Sequence, residues 1–307
     1  MKTLHPMYDP SFYSSDTPGA PRLPLRYTIS NQFSFALPTE MEPETMELIQ
    51  EKIAIPTERS RISRARLLQS LEFSLGSCSA TILSGRAGTG KTALALDFAS
   101  RSKRAVAWFK VDASDADWRS FFEYLSASVR NQRPGFGFNY FAEVSRSATL
   151  EDMPLCAEAF VFELFEQMSA PLLIVLEDLH LVYDAEWVVP FFARLLPLLP
   201  HDVHLLITCR SMPPAPLWRM RSKQTLCVVE EASLAFTIDE ATELYDSYGL
   251  TASEALIAFE ETRGRASLLD SVARVLSRTR LETLVESNAG RDLPAVTNLH
   301  AIHDLVS

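Results

Sequence analysis

Between Thr81 and Leu96 the chain reads TILSGRAGTGKTALAL, and Gly85, Gly90, Lys91 and Thr92 stand at the spacing G-x-x-x-x-G-K-[ST]. Those residue types at that spacing suit a polyphosphate. Gly85, Gly88 and Gly90 permit backbone angles that side chains resist, so successive N–H groups can turn toward one anion. A helix starting at the end of the loop adds the positive end of its dipole. Lys91 is expected to reach the β- and γ-phosphates, and the Thr92 hydroxyl to ligate Mg²⁺. Gly85, Arg86, Ala87, Gly88, Thr89, Gly90, Lys91, Thr92 and Ala93 are therefore the candidate cofactor-binding residues, for ATP or ADP with Mg²⁺.

A second candidate group lies about eighty residues further on. Glu177 and Asp178 end the apolar run PLLIVLED. One acid there is expected to hold Mg²⁺, directly or through water, and the other to polarise an attacking water. Thr92, Glu177 and Asp178 form the candidate metal set. Arg210 follows the run HLLITC. Its planar donors suit phosphate oxygens, so it is a candidate sensor of the γ-phosphate and joins Glu177 and Asp178 as a catalytic candidate. Asp112, after the run RAVAWFKV, is a further candidate for orienting water or Mg²⁺. His180 is expected to pack or cap locally.

These groups need a frame that brings strand ends together. Ser79 to Leu83, Arg104 to Val111, Pro171 to Asp178, His204 to Cys209 and Leu226 to Glu230 read as five strands. Helical spacing separates them, over Thr92 to Ala99, Asp115 to Arg130, Leu155 to Met168 and Trp187 to Leu199. The stripe Phe160, Phe162 and Phe165 is expected to be core. Asn131 to Phe138, with Pro134, Gly135 and Gly137, reads as a loop. A helix beginning at Arg64 and ending near Gly76 precedes the first strand, with its arginines solvated. Strand–helix alternation predicts a doubly wound parallel α/β sheet, with the ligand at the carboxyl ends of the strands. From Phe236 the pattern turns helical: Asp239 to Tyr248, Ser253 to Arg263 and Ala266 to Ser277.

The chain has 307 residues, a formal net charge of −10 and 47% hydrophobic residues, enough for one large or two modest domains. The acidic balance argues against direct nucleic-acid binding by the chain as a whole. Cys78, Cys156, Cys209 and Cys227 contain no C-x-x-C pair, which suits reduced thiols and a cytoplasmic location. The first ten residues lack the basic and apolar regions of a leader, and no apolar run is long enough to cross a bilayer. Residues 1–45 are rich in proline, serine and aromatics and read as an extended or disordered tail, with a docking segment as the alternative. Residues 46–232 are expected to form the core, and 233–307 a helical lid with a C-terminal tail.

Over Ile53 to Ala273 the chain resembles the nucleotide-binding module of MalT-like STAND ATPases, the signal-transduction ATPases of large LuxR-type transcriptional activators. The carrying segments are IPTERSRISRARLL, LSGRAGTGKTALALDFA, AVAWFKVDASDADWRSFFEYLSASVR, PLLIVLEDLHLV, HLLITCRSMPPAPLWRMRSK and LAFTIDEATELYDSYGL. The resemblance implies a three-layer P-loop NTPase core with strand order 5-1-4-3-2, followed by a small helical domain. It implies an ATP-driven switch with slow turnover, in which nucleotide state controls self-association. By position it assigns Lys91 and Thr92 to phosphate and Mg²⁺, Glu177 and Asp178 to Mg²⁺ and water, and Arg210 to the γ-phosphate. It places Ile62 and Arg64 near the adenine. The chain departs from the family pattern at Glu177-Asp178, where Asp-Asp is usual, and at Arg263-Gly264-Arg265, where Glu-Gly-Trp is usual. The family's winged-helix domain, helical-repeat sensor and C-terminal helix-turn-helix are not legible in these residues.

The expected function is an ATP-binding switch module with slow Mg²⁺-dependent hydrolysis, within or alongside a transcription-regulatory system. A protein partner or self-association is expected, with Arg219, Arg221 and Arg265 as candidate contacts, and no membrane partner. One alternative is a pseudo-ATPase scaffold in which nucleotide only stabilises the fold. The other is a DNA-binding regulator using Arg274, Arg278 and Arg280 within Asp270 to Val285.

Overall fold

A computed structural model describes residues 48–288 apart from 59, 168, 169 and 224, with side chains described through residue 282. The expected tail, residues 1–45, and the chain beyond 288 lie outside the described residues. Five parallel strands form one sheet: β1 (Ala80–Ser84), β2 (Ala105–Lys110), β3 (Leu172–Glu177), β4 (Val203–Cys209) and β5 (Leu226–Val229). Their order is β2-β3-β4-β1-β5, the 5-1-4-3-2 order implied by the resemblance read from the other edge. Every residue of β1, β3 and β4 is buried, as befits central strands covered on both faces.

The period of two along β3 shows how the layers are made. Leu173 and Val175 face the layer of α2 (Ala65–Ser77) and α3 (Lys91–Arg101), where they meet Leu67, Leu71, Leu94 and Phe98. Leu172, Ile174 and Leu176 belong to the opposite, larger core. That core holds α1, a single turn at Gln50–Ile53, with α4 (Trp118–Arg130), α5 (Tyr140–Ser147), α6 (Met153–Glu166) and α7 (Val188–Leu198). Phe121, Phe122, Trp187, Phe191 and Phe192 interlock there, with Phe121 and Trp187 ring centroids 4.6 Å apart.

Single helical turns at α8 (Ala215–Trp218) and α9 (Glu231–Leu234) flank β5. The remaining helices, α10 (Ile238–Asp246), α11 (Ala252–Thr262) and α12 (Ala266–Asn288), build a third apolar cluster with Ile62 and Phe236. Capping boxes start α10 at Thr237/Glu240 and α11 at Thr251/Glu254. Arg263 and Gly264 take left-handed angles, φ 51° and 72°, and turn the chain from α11 into α12.

Four local expectations change. The stretch read as one helix from Asp115 is a 3₁₀ turn, Ala113–Ala116, followed by α4, because Asp112 and Asp117 each cap a separate start. Helix α5 was hidden by its short length and the preceding glycine-rich loop. In α6, Phe160 is 1% exposed but Phe162 and Phe165 are 46% and 48% exposed. At about 100° per residue the three cannot share one face, and the buried stripe is Met153, Cys156, Ala157, Phe160 and Leu164. Finally, α12 runs on past Ser277 to Asn288.

Candidate functional site

The chain leaves the buried strand β1 straight into the phosphate-loop motif. The Gly85 N–H donates to Cys209 O at 3.1 Å, tying the loop to the end of β4. Gly88 and Gly90 have φ of 79° and 84°, the left-handed region that the glycine spacing anticipates. Gly90 is the N-cap residue of α3, so the helix dipole points into the loop. Lys91 is buried and its ammonium spans the loop, donating to Gly85 O at 2.6 Å and Arg86 O at 2.9 Å. Burial pushes its pKa down, with the Asp178 carboxylate opposing. Of its three donors, two hold the loop closed and the third, 3.5 Å from Thr89 Oγ1, is only loosely engaged.

At the neighbouring strand end, the Thr92 hydroxyl donates to Glu177 Oε1 at 2.5 Å. The other carboxylate oxygen accepts from Trp108 Nε1 at 3.3 Å, so β2 and α3 both fix the Glu177 side chain. Asp178 sits at φ 58°, and its N–H donates to Thr208 Oγ1 at 3.0 Å. Its carboxylate lies 3.5 Å from Arg210 and 3.7 Å from His180 Nδ1. Burial lowers the His180 pKa, which keeps that ring a local packing partner of Asp178. A hydroxyl and two carboxylates are hard oxygen donors of the kind Mg²⁺ takes. Among the described residues no group of three or more His, Cys, Asp or Glu could hold a metal alone.

Asp112 is engaged elsewhere. The buried Lys52 ammonium lies 3.1 Å from its carboxylate and 2.7 Å from Asp115, over the Tyr124 ring at 4.1 Å. The position after β2 therefore serves a structural charge cluster, not the phosphate loop.

The three α10–α12 helices close the site from the other side. A cavity of about 390 Å³ is lined by Gly88, Lys91 and Thr92 of the loop, by Asp178 and Arg210, by Ile62 and Arg64, and by Phe236, Leu244, Ala266, Ser267 and Arg274. That volume falls in the ordinary range for small-molecule sites. The start of α12 touches the loop directly, Ser267 N–H donating to Gly88 O at 2.9 Å and Arg265 Nη2 to Ala87 O at 2.8 Å. Arg86 donates from its backbone and side chain to Glu231, at 2.8 and 2.7 Å. Those bonds hold the Glu231 carboxyl below its ordinary range.

Arg64 lines the same cavity, but it is not the solvated charge that its arginine-rich surroundings suggest. It is buried, donates to Leu234 O, Ala235 O and Glu240, and lies 4.2 Å over the Phe236 ring. The segment before α2 is thereby fastened to the α10 region. Sequence spacing gave no sign of the Trp108, Glu231, Arg265 and Ser267 contacts, since each partner lies far away along the chain.

A five-stranded parallel sheet of this order with a glycine loop at its carboxyl edge is the P-loop NTPase fold. No protein-family model matches the chain. The HTH-type transcriptional regulator MalT of Serratia proteamaculans (strain 568) is 26% identical over 265 residues, covering 83% of this chain and 28% of that protein. The chain thus spans little more than a quarter of the length of this curated relative. Among solved structures, a signal transduction ATPase with numerous domains and a tetratricopeptide repeat sensor, from Pyrococcus horikoshii, superposes with a TM-score of 0.50. It is 15% identical and the match covers 80% of this chain and 32% of that one. In sequence and in fold the chain is similar to MalT-like STAND P-loop ATPase modules.

Proposed function

We propose that the chain is a nucleotide-controlled switch that binds ATP or ADP with Mg²⁺ and hydrolyses ATP slowly. The single observation that carries this reading is the cavity lined jointly by Gly88, Lys91 and Thr92 and by Ala266, Ser267 and Arg274. An occupant of the phosphate loop touches both the sheet domain and the helices, so the nucleotide present biases their packing. Residues 46–232 act as the core and 233–307 as the lid in this reading.

The loop N–H groups and Lys91 hold the phosphates, with Gly85 to Ala93 supplying the cradle. Thr92, Glu177 and Asp178 hold Mg²⁺, which supplies charge neutralisation at the phosphates when bound. Asp178, beside Arg210 and at the strand end, is placed to orient water, and Arg210 reads the γ-phosphate. Ile62 and the Arg64 backbone region border the base. Each Glu177 oxygen already accepts one hydrogen bond, from Thr92 or from Trp108, so Asp178 is the better placed of the two acids to orient water. The relative's name, HTH-type transcriptional regulator, supports a place in gene regulation. The net charge of −10 favours a protein partner or self-association over DNA for this chain itself.

Lys91→Ala tests the reading. Nucleotide should raise the melting temperature of the wild type by mass action and leave the variant unmoved. The variant should also be less stable on its own by about 1–3 kcal/mol, since the Gly85 and Arg86 carbonyls lose their donor. Equal stabilisation of both proteins by ADP would reject the site. Hydrolysis that persists in EDTA would reject the metal role.

A further inference from the structure

The phosphate loop is gripped from outside as well as from within. Arg265 Nη2 donates to Ala87 O at 2.8 Å, and Ser267 N–H donates to Gly88 O at 2.9 Å. These are consecutive peptide groups of the loop. No described peptide bond is cis. In a trans peptide the N–H points opposite to the C=O of the same unit. A donor on the Ala87 carbonyl therefore fixes the plane, and so the direction, of the Gly88 N–H. A donor on the Gly88 carbonyl does the same for Thr89 N–H. Ala87 and Gly88 both line the cavity.

We infer that Arg265 is a positioning residue for the anion cradle, acting through the Ala87–Gly88 peptide. The inference rests on the nucleotide-binding reading above and names how the lid regulates that site. Three observations converge on it. The half-buried Arg265 spends its Nη2 on the Ala87 carbonyl, and its Nε is buried against the loop with no other hydrogen-bond partner. Arg265 is also the residue from which α12 springs, its carbonyl accepting from Leu268 and Leu269 at 3.1 and 3.0 Å. Movement of the lid helix therefore moves the guanidinium. Third, the approach is tight: a Cβ on Gly88 would lie 2.2 Å from Ser267 Oγ and 3.6 Å from Arg265 Nε.

Polarising a carbonyl strengthens the N–H of the same amide as a donor. Lid docking thus makes the cradle a better anion site. By linkage, an anion in the cradle makes those carbonyls better acceptors and holds the lid.

The test compares wild type, Arg265→Ala, Arg265→Lys and Arg263→Asn in the full chain. The last removes a neighbouring lid charge and suits its left-handed backbone. Two quantities are read: the Kd for ADP, and the hydrogen-exchange rate of the Ser267 amide with and without ADP. ADP should slow Ser267 exchange in the wild type about tenfold, within the usual range of coupling between sites. Arg265→Ala should weaken ADP about tenfold and lose most of that slowing. Arg265→Lys should recover part of both, and Arg263→Asn should match the wild type. Wild-type ADP affinity in Arg265→Ala, or Ser267 exchange indifferent to ADP in a wild type that binds it, overturns this inference alone. A wild type that binds no ADP overturns the nucleotide reading and the inference with it.

Discussion

The Thr92 hydroxyl and the Glu177 carboxylate meet at 2.5 Å, joining the first turn of α3 to the end of β3. The indole of Trp108 takes up the second carboxylate oxygen at 3.3 Å. The acid reaches Thr92 while remaining anchored to the adjacent strand β2.

Trp108→Phe keeps the ring buried and removes the donor. Glu177 Oε2 is then left without a partner in a buried site, which costs about 1–3 kcal/mol. Chemical denaturation of the free protein should show that loss. The freed side chain should also weaken Mg²⁺-dependent ATP binding, with ATP binding in EDTA little changed. Unchanged stability and Mg²⁺ dependence would show that the indole contributes nothing to Glu177.

Gly88→Ala is expected to lift α12 from the loop. The residue has φ 79°, and its new methyl would fall 2.2 Å from Ser267 Oγ and 2.9 Å from Ser267 Cβ. The backbone strain is about 1–2 kcal/mol and the clash adds to it. Hydrogen exchange at the start of α12 should accelerate and ADP should bind more weakly. Ser267→Gly in the same chain should recover the part caused by the clash and leave the part caused by φ.

Arg64 and Glu240 pair at 2.9 Å with both side chains largely buried, and Arg64 also serves the Leu234 and Ala235 carbonyls. Arg64→Met takes the donor from the Leu234 carbonyl and leaves Glu240 and the Ala235 carbonyl to Thr237 N–H and the more exposed Arg66, so a loss of about 2 kcal/mol is expected. Glu240→Gln keeps an acceptor and should cost about 1 kcal/mol. Urea titrations of the two variants check the order; equal costs would contradict it.

His204 gives the fold an acid sensitivity. Its Nδ1 meets Cys78 O at 3.2 Å and its Nε2 meets Thr81 Oγ1 at 2.9 Å, with Ser74 Oγ 2.5 Å from the same hydroxyl. A carbonyl only accepts, so Nδ1 carries the proton and Nε2 accepts from Thr81. Burial, with the Arg104 charge adding to it, pushes the His204 pKa from 6.5 to about 4. The unfolded chain binds this proton near 6.5 and the folded chain near 4. Stability is therefore full above 6.5 and falls as pH drops toward 4, by about 3 kcal/mol. His204→Asn should show a shallower decline over that window. An identical decline in both proteins would exclude His204 as its source.

The sequence by itself determined the sheet and the phosphate loop. Central strands such as LLIVLE, buried on both faces, leave unbroken apolar runs, and the glycines of the loop carry their backbone demand in their own identity. Glu177, Asp178 and Arg210 were legible as candidates because Glu177 ends β3 and Asp178 and Arg210 directly follow β3 and β4, and a parallel sheet gathers strand ends at one edge. Spacing could not say which partner holds each carboxylate. Glu177 is occupied by Thr92 and Trp108, and Asp112 by Lys52, through side chains distant in the chain. Nor could it separate Phe160 from Phe162 and Phe165, since an aromatic carries no mark of the face it takes. The tertiary structure alone decided that α12 docks on the loop, through backbone groups of Ala87, Gly88 and Ser267 that every residue possesses. Hydrogen bonds to backbone atoms leave no signature in residue type, so the contact that joins lid to cradle appears only when the chain is folded.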